Sequence, residues 1–307
     1  MFMSGVVKLM SGDPTWRNLT ALNYHYFTQP LPTPIAWYMA QLPGWFQKAS
    51  TVFVFFLELL VPLLIFAPLR LRRVSACLMI GLQVLILLTG NYTFFNLLAI
   101  ALCVFLFANV PPRPETRVHR GVTLALLVFV LTTSGLQFLE MFHLPLPAPA
   151  QSYLAWISPL RLVNSYGLFA VMTTTRPEIV VEGSNDGTTW TPYEFRYKPG
   201  DVKRAPPWVA PYQPRLDWQM WFAALGSADE NRWYYNFAGR LLQGSAPVLG
   251  LLERNPFPGG PPRYIWAVVY DYRFTDFAER RSSGAWWRRE EKGMYLPAIS
   301  LRPTSKP

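Results

Sequence analysis

The sequence predicts a multi-pass α-helical membrane bundle of four helices, followed by a soluble α+β domain with antiparallel strands. Three observations carry this expectation. Positions 74–112 run for 39 residues without one charged side chain. Charge is divided unevenly: residues 1–139 hold 9 Lys/Arg and 3 Asp/Glu, whereas residues 140–307 hold 19 and 15. Beyond position 175, β-prone runs bounded by turn signals alternate with helical spacing, as in an ordinary folded domain.

Residues 1–10 are short and apolar apart from Lys8, with neither a basic leader nor a small-residue cleavage site. They resemble the tail of an earlier helix, so segment 1–50 is expected to follow an upstream span. From 12 to 34 the chain is dense in aromatic residues and proline. Proline opposes long helices and aromatic rings favour the membrane interface. The expectation is an irregular external segment lying on the bundle.

A bilayer core about 30 Å thick takes roughly 20 helical residues. The run 49–69 is apolar except for Glu58 and ends at Arg70, Arg72 and Arg73. The uncharged run 74–112 suits two helices with a turn at Gly90-Asn91-Tyr92-Thr93, and 121–139 supplies another. The predicted spans are therefore 51–69, 74–90, 93–110 and 121–139. Arg70, Arg72 and Arg73 share one side with Arg113, Arg117 and Arg120, and the 90–93 turn carries none. Basic short loops face the cytoplasm. Residues 1–50 and everything after 140 are then expected outside it.

Polar side chains within spans are costly and mark either function or interhelical hydrogen bonding. Glu58, Gln83 and Asn96 qualify; with His25 and Asn91 they form a candidate polar site at the membrane face. The plainer reading is hydrogen bonding that fixes the bundle, with His25 a structural residue.

Residues 140–165, with Pro145, Pro147 and Pro149, read as a linker, and 166–307 as the soluble domain. A strand at 179–182, the turn Gly183-Ser184-Asn185-Asp186-Gly187 and β-formers at 188–197 predict a hairpin. Leu216, Met220 and Ala223 recur at helical spacing; 232–242 and 248–254 read as further helices, and 264–274 as a strand. Trp286-Trp287-Arg288-Arg289 begins or ends another. Arg215, Asp217, Trp218 and Trp221 form the domain's candidate motif, either a charged site or a structural ion pair beside tryptophans.

Several chemistries are excluded. The two cysteines, Cys77 and Cys103, lie in apolar runs, so the soluble domain has neither a disulfide nor a cysteine nucleophile. The histidines are His25, His119 and His143, and no His-dependent triad fits within that domain. No P-loop, Gly-x-Ser-x-Gly elbow or His-Glu-x-x-His motif occurs. No metal or cofactor is expected. The net charge of +10 is concentrated in short loops, which argues for membrane lipid as partner and against nucleic acid. Asn18-Leu19-Thr20 and Asn91-Tyr92-Thr93 match the glycosylation sequon.

Longer strings carry a resemblance. Gly12-Asp13-Pro14-Thr15-Trp16-Arg17-Asn18-Leu19-Thr20, the 24–34 stretch with Thr28-Gln29-Pro30, Glu58-Leu59-Leu60-Val61-Pro62 and Gly90-Asn91-Tyr92-Thr93-Phe94-Phe95-Asn96 resemble the lipase maturation factor family. So do Arg215-Leu216-Asp217-Trp218-Gln219-Met220-Trp221-Phe222, Asn255-Pro256-Phe257 and Trp286-Trp287-Arg288. The likeness runs from about residue 3 to 300 and is that of a bacterial or N-terminally shortened member. It implies a polytopic protein assisting the maturation of secreted proteins, dimeric lipases in the animal members, with a lumenal C-terminal domain. It places eukaryotic relatives in the endoplasmic reticulum membrane. A bacterial relative would sit in the cytoplasmic membrane with a periplasmic domain, and its client is not assured to be a lipase. The alternative is a membrane enzyme of γ-carboxylase-like type acting at the external face. A polar cavity joining His25 and Glu58, with Lys8 or Asn91, would favour it; a dry core around Glu58 would oppose it. A folding factor would instead offer an aromatic surface to its client.

Overall fold

The computed structural model describes residues 1–109, 116–163 and 169–301. Arg113 of the second basic loop and the expected domain start at 166 lie outside the described residues. The chain divides into two compact units. The first comprises Met1–Ala21, Lys48–Leu82 and Ile100–Met172; the second comprises Leu22–Gln47, Gln83–Ala99 and Thr173–Pro307.

The expected irregular segment is largely helical: α1 Phe2–Met10, α2 Pro14–Arg17, α3 Ala21–Thr28 and α4 Pro34–Ala40. The prolines open helices rather than break them. Pro14 and Pro34 occupy the first helical position, where the missing N–H costs nothing. Asp13 and Thr33 cap them, accepting from the backbone N–H of Thr15 and Ala36. In the first unit the Asp13 carboxylate also accepts from Met172 N at 2.5 Å, and Trp16 Nε1 donates to Phe169 O at 2.9 Å.

The helical run Gly44–Phe66 covers the first expected span. It begins as α5 Gly44–Phe55, widens to a π turn over Phe56–Leu60 and tightens to a 3₁₀ turn over Val61–Phe66. Pro62 explains the switch: it has no N–H for the carbonyl of Glu58, four residues earlier. Then follow α6 Leu69–Thr89, α7 Phe95–Val104, α8 Arg117–Met141 and α9 Ala148–Ile157. Three runs, Gly44–Phe66, Leu69–Thr89 and Arg117–Met141, are long and apolar enough to cross a membrane; Phe95–Phe107 is a shorter apolar helix. Their flanks stay open within the fold: only 6% of the α8 window is buried. Side chains such as Leu124, Leu126, Leu127 and Leu131 need lipid around them. The expected linker is partly the helix α9, since Pro147–Pro149 lies at a helix start.

The second unit is built on a four-stranded antiparallel sheet, β1 Pro177–Ser184, β2 Thr191–Pro192, β3 Tyr264–Phe274 and β4 Trp287–Ile299, in the order β2-β1-β3-β4. The predicted hairpin forms, but its second arm pairs at only two positions, Glu182 with Pro192 and Gly183 with Thr191. Pro192 cannot donate to a ladder and ends the strand early. Helices α10 Arg215–Ala223, α11 Arg232–Leu242 and the single turn α12 Ala246–Leu249 precede β3. Helix α13 Phe277–Ser283 follows it, with a complete capping box between Asp276 and Glu279.

One face of the sheet buries Ile179, Val181, Ile265, Ala267 and Leu296 against Met220 of α10 and Tyr234, Ala238 and Leu241 of α11. A second cluster joins distant parts of the chain: Leu22, Tyr26, Ala36 and Trp37 pack with Tyr272, Phe274 and Trp287. Helices α3 and α4 therefore belong to the core of the sheet domain, where the sequence had placed them on the bundle. The same residues close over the end of α6. Gln29 Nε2 donates to Thr89 O at 2.8 Å, and Thr33 Oγ1 to Leu88 O at 2.6 Å, serving carbonyls that a helix end leaves unpaired.

Gly90 follows directly, and its lack of a side chain is required. A Cβ there would sit 1.8 Å from Gln29 Oε1. Gln29 cannot swing aside, because its amide is held by Thr89 O and Tyr26 O and its Oε1 accepts from Tyr92. Gly90→Ala is expected to cost about 1–3 kcal/mol, read as a lower melting temperature and faster hydrogen exchange at residues 88–93.

Candidate functional site

Of the five residues of the candidate membrane-face site, Gln83 and Asn96 meet each other. Glu58 lies in the first unit, buried, with Lys8 Nζ 2.6 Å from its Oε2 and Ser4 Oγ 3.4 Å from its Oε1. Lys8 is itself buried and stands 5.2 Å from the centroid of Trp16. This pair is closed by packing: a Cβ on Gly5 would come within 2.8 Å of Leu59. The other four residues lie in the second unit and form separate contacts. Asn96 Nδ2 donates to Gln83 Oε1 at 2.8 Å. Asn91 Nδ2 donates to Tyr212 O at 2.8 Å, while its Oδ1 accepts from Thr93 N at 2.9 Å. His25 stacks on Tyr92 with centroids 6.4 Å apart and meets the Tyr26 edge at 5.9 Å. The contacts Lys8–Glu58, Asn96–Gln83 and Asn91–Tyr212 each join two segments of the chain. The buried Asn91 amide is also committed to Tyr212, so that sequon offers no free acceptor nitrogen.

The soluble motif resolves in the same sense. Arg215 and Asp217 are two positions apart on α10, and such positions do not face each other on a helix. Arg215 is exposed and Asp217 buried, and among the described residues no ion pair joins them. Asp217 Oδ1 instead accepts from the backbone N–H of Tyr197 at 2.9 Å and Lys198 at 2.8 Å, pinning the loop after β2. Trp221 Nε1 donates to Thr28 O at 3.0 Å, and Trp218 packs on Phe222 at 6.1 Å.

Burial raises the Asp217 carboxyl above its ordinary value of 3.8, against the lowering effect of the two amides and of Lys198. The folded chain then binds this proton more tightly than the unfolded chain, so its contribution to stability falls as pH rises from about 4 through the raised value. Asp217→Asn removes that titration while an amide oxygen can still accept both N–H groups. The expected outcome is a flatter stability profile than wild type above pH 4, measured by denaturant titration between pH 4 and 7.

Two constellations escaped the sequence reading. Arg176, Glu178 and Lys198 are fully enclosed. Arg176 Nε donates to Glu178 Oε1 at 2.9 Å, and Lys198 Nζ lies 3.0 Å from Glu178 Oε2. The Arg176 guanidinium also donates to the carbonyls of Phe27 at 2.7 Å, Pro30 at 2.8 Å and Gln29. The available signal was a charged pair two residues apart, hence on one face of an apolar strand start. The second is Arg280, whose guanidinium carbon stacks 3.5 Å from the Trp286 centroid and 4.9 Å from that of Trp37, with Tyr38 and Phe277 exposed beside it. Among the described residues no group of three or more His, Cys, Asp or Glu side chains is placed to hold a metal ion.

Membrane-length apolar helices joined to an antiparallel-sheet domain define an integral membrane protein with an attached α+β domain. Residues 1–113 match the lipase maturation factor transmembrane domain, and residues 162–297 match the lipase maturation factor C-terminal domain. The chain belongs to the lipase maturation factor family. It is 35% identical to lipase maturation factor 2 of Rattus norvegicus over an alignment of 415 positions, gaps included, which covers 98% of this chain and 59% of the relative. It is 37% identical to lipase maturation factor 1 of Bos taurus over 338, covering 98% and 59%. The chain thus spans about three fifths of the length of these relatives. No solved structure matches. Nothing in these comparisons supports the carboxylase-like alternative.

Proposed function

We propose that this protein is a membrane-anchored maturation factor whose second unit faces the non-cytoplasmic side and engages an exported client, a secreted lipase being the first to test. The observation that carries the reading is the match to named lipase maturation factors over 98% of the chain. The side is supported by Arg70, Arg72, Arg73, Arg117 and Arg120, which flank spans on the opposite side from the 90–93 turn. In a eukaryotic cell that side is the lumen of the endoplasmic reticulum, and in a bacterium the periplasm.

Glu58, Asn91, Asn96 and Asp217 each have a hydrogen-bond partner within the fold, and aromatic side chains are exposed. Tyr38 and Phe277 are exposed beside Arg280 stacked on Trp286. Rings with a cationic rim suit transient contact with unfolded apolar segments. The test places a photo-cross-linking residue at Phe277 in the full chain, co-expressed with a secreted lipase. Cross-links to incompletely folded lipase, lost once the lipase reaches its native state, are expected. Absence of such cross-links, together with unchanged secreted lipase activity when the chain is removed, would refute the proposal.

A further inference from the structure

We propose that the aromatic ridge formed by Tyr212 and Phe222 is a membrane-seating surface, which places this edge of the second unit in the headgroup layer of the leaflet on its own side. The inference needs only that α6 crosses the bilayer and is independent of the client.

All the contacts involved lie within the second unit, which includes the last turns of α6. Leu85 on α6 is half exposed and belongs in hydrocarbon; Thr89 stands about 6 Å further along the helix, at 1.5 Å per residue. A headgroup layer is roughly 5–8 Å deep per leaflet, so with Leu85 at the hydrocarbon edge Thr89 lies within it. The ridge is tied to this level at two points. Asn91, two residues beyond Thr89, donates to Tyr212 O. Trp221 donates to Thr28 O, next to Gln29, which caps Thr89 itself. Phe94 and Phe95, at the start of α7, stack at 4.6 Å and mark the same boundary.

The exposed residues at this level are unlike an ordinary soluble surface. Tyr212 is 60% exposed and Phe222 55%. On α10, Arg215, Trp218 and Phe222 lie on the side opposite the buried Leu216, Met220 and Ala223, so the helix has apolar residues on both sides. A helix apolar on both sides needs a second apolar environment. Trp, Tyr and Phe with Arg is the residue set that favours the bilayer interface, where rings sit among headgroups and guanidinium meets phosphate. A cavity of about 280 Å³ opens beside Tyr212 and is lined by Arg196, Arg215, Gln219 and Leu251, with Asp217 at its wall. Arg215 supplies positive charge for a phosphodiester there, while the Arg196 guanidinium donates to the carbonyls of Leu252 at 3.0 Å and Gly250 at 2.6 Å.

The test uses the unmodified full chain in phosphatidylcholine nanodiscs carrying a phospholipid with a diazirine near the glycerol end of one acyl chain. After illumination and digestion, peptides covering 205–225 are expected to carry label at a level comparable with 94–98. The β1–β2 turn at 185–190, roughly 25 Å along β1 from Arg176 at 3.3 Å per residue, should carry roughly ten-fold less. The double substitution Tyr212→Asp and Phe222→Asp changes exposed positions only, and should abolish label at 205–225 while leaving it at 94–98. Label at 94–98 without label at 205–225 in the unmodified chain overturns the proposal, because the ridge then faces water or protein. Unchanged label in the double variant overturns it equally.

Discussion

Replacing Arg176 with Met is expected to cost about 3–5 kcal/mol and to detach residues 27–30 from the sheet domain, because it removes one partner of a buried ion pair and leaves the other uncompensated. Three backbone carbonyls, of Phe27, Gln29 and Pro30, lose their donor together with Glu178. Burial pulls the Arg176 guanidinium down from its ordinary value and Glu178 works against that pull; without the carboxylate the charge would be held by carbonyls alone. Glu178→Gln is therefore expected to be damaging as well, since Arg176 and Lys198 would face each other with no anion between them. Arg176→Lys should recover only part of the loss, because a single ammonium cannot span three carbonyls and a carboxylate. Hydrogen exchange at β1 and at residues 27–30, with thermal unfolding in detergent, measures the effect. Unchanged protection in Arg176→Met would contradict it.

The second large effect concerns Lys8 and Glu58. Glu58→Leu alone leaves a buried ammonium and is expected to cost about 3–5 kcal/mol, whereas Lys8→Met combined with Glu58→Leu should be close to neutral. The order of the two variants is the discriminating result: the double variant must be more stable than the single one. It would be measured as the fraction remaining monodisperse after heating in detergent. If the double variant is the weaker, the pair does more than satisfy its own charges.

Much of the architecture was legible. Long uncharged runs are tolerated only in lipid, so three spans could be read from charge, although the first runs Gly44–Phe66 with a π turn before Pro62 and the expected 93–110 span is the shorter helix Phe95–Phe107. The strand at 264–274 and the helices at α10 and α11 showed in their spacing, because one side of each packs on a single core. The 12–34 stretch was misread. Its prolines and aromatics signal irregular backbone when taken locally, yet Pro14 and Pro34 start helices and Trp37 fills a hole in a sheet made much later in the chain. Of the candidate polar residues, Glu58, Gln83, Asn91, Asn96 and Asp217 are buried, His25 is partly exposed and Arg215 exposed, and which residue each one meets depends on tertiary placement. His25, Glu58 and Asn91 were grouped by a shared membrane level and turn out to have separate partners. Arg176 was missed because a lone arginine before a proline looks like surface until the carbonyls of 27–30 are brought to it.

The pairing of Trp37 with the 272–287 region has a temporal consequence. Trp37 and Thr275, which its indole reaches at 3.4 Å, are 238 positions apart. At ribosomal rates of about 5–20 residues per second, roughly ten to fifty seconds separate their emergence. Throughout that interval the nascent α3–α4 hairpin presents Tyr26 and Trp37 with no sheet to receive them. A protein of this family is therefore, early in its own biogenesis, a substrate for the same kind of shielding it is proposed to give.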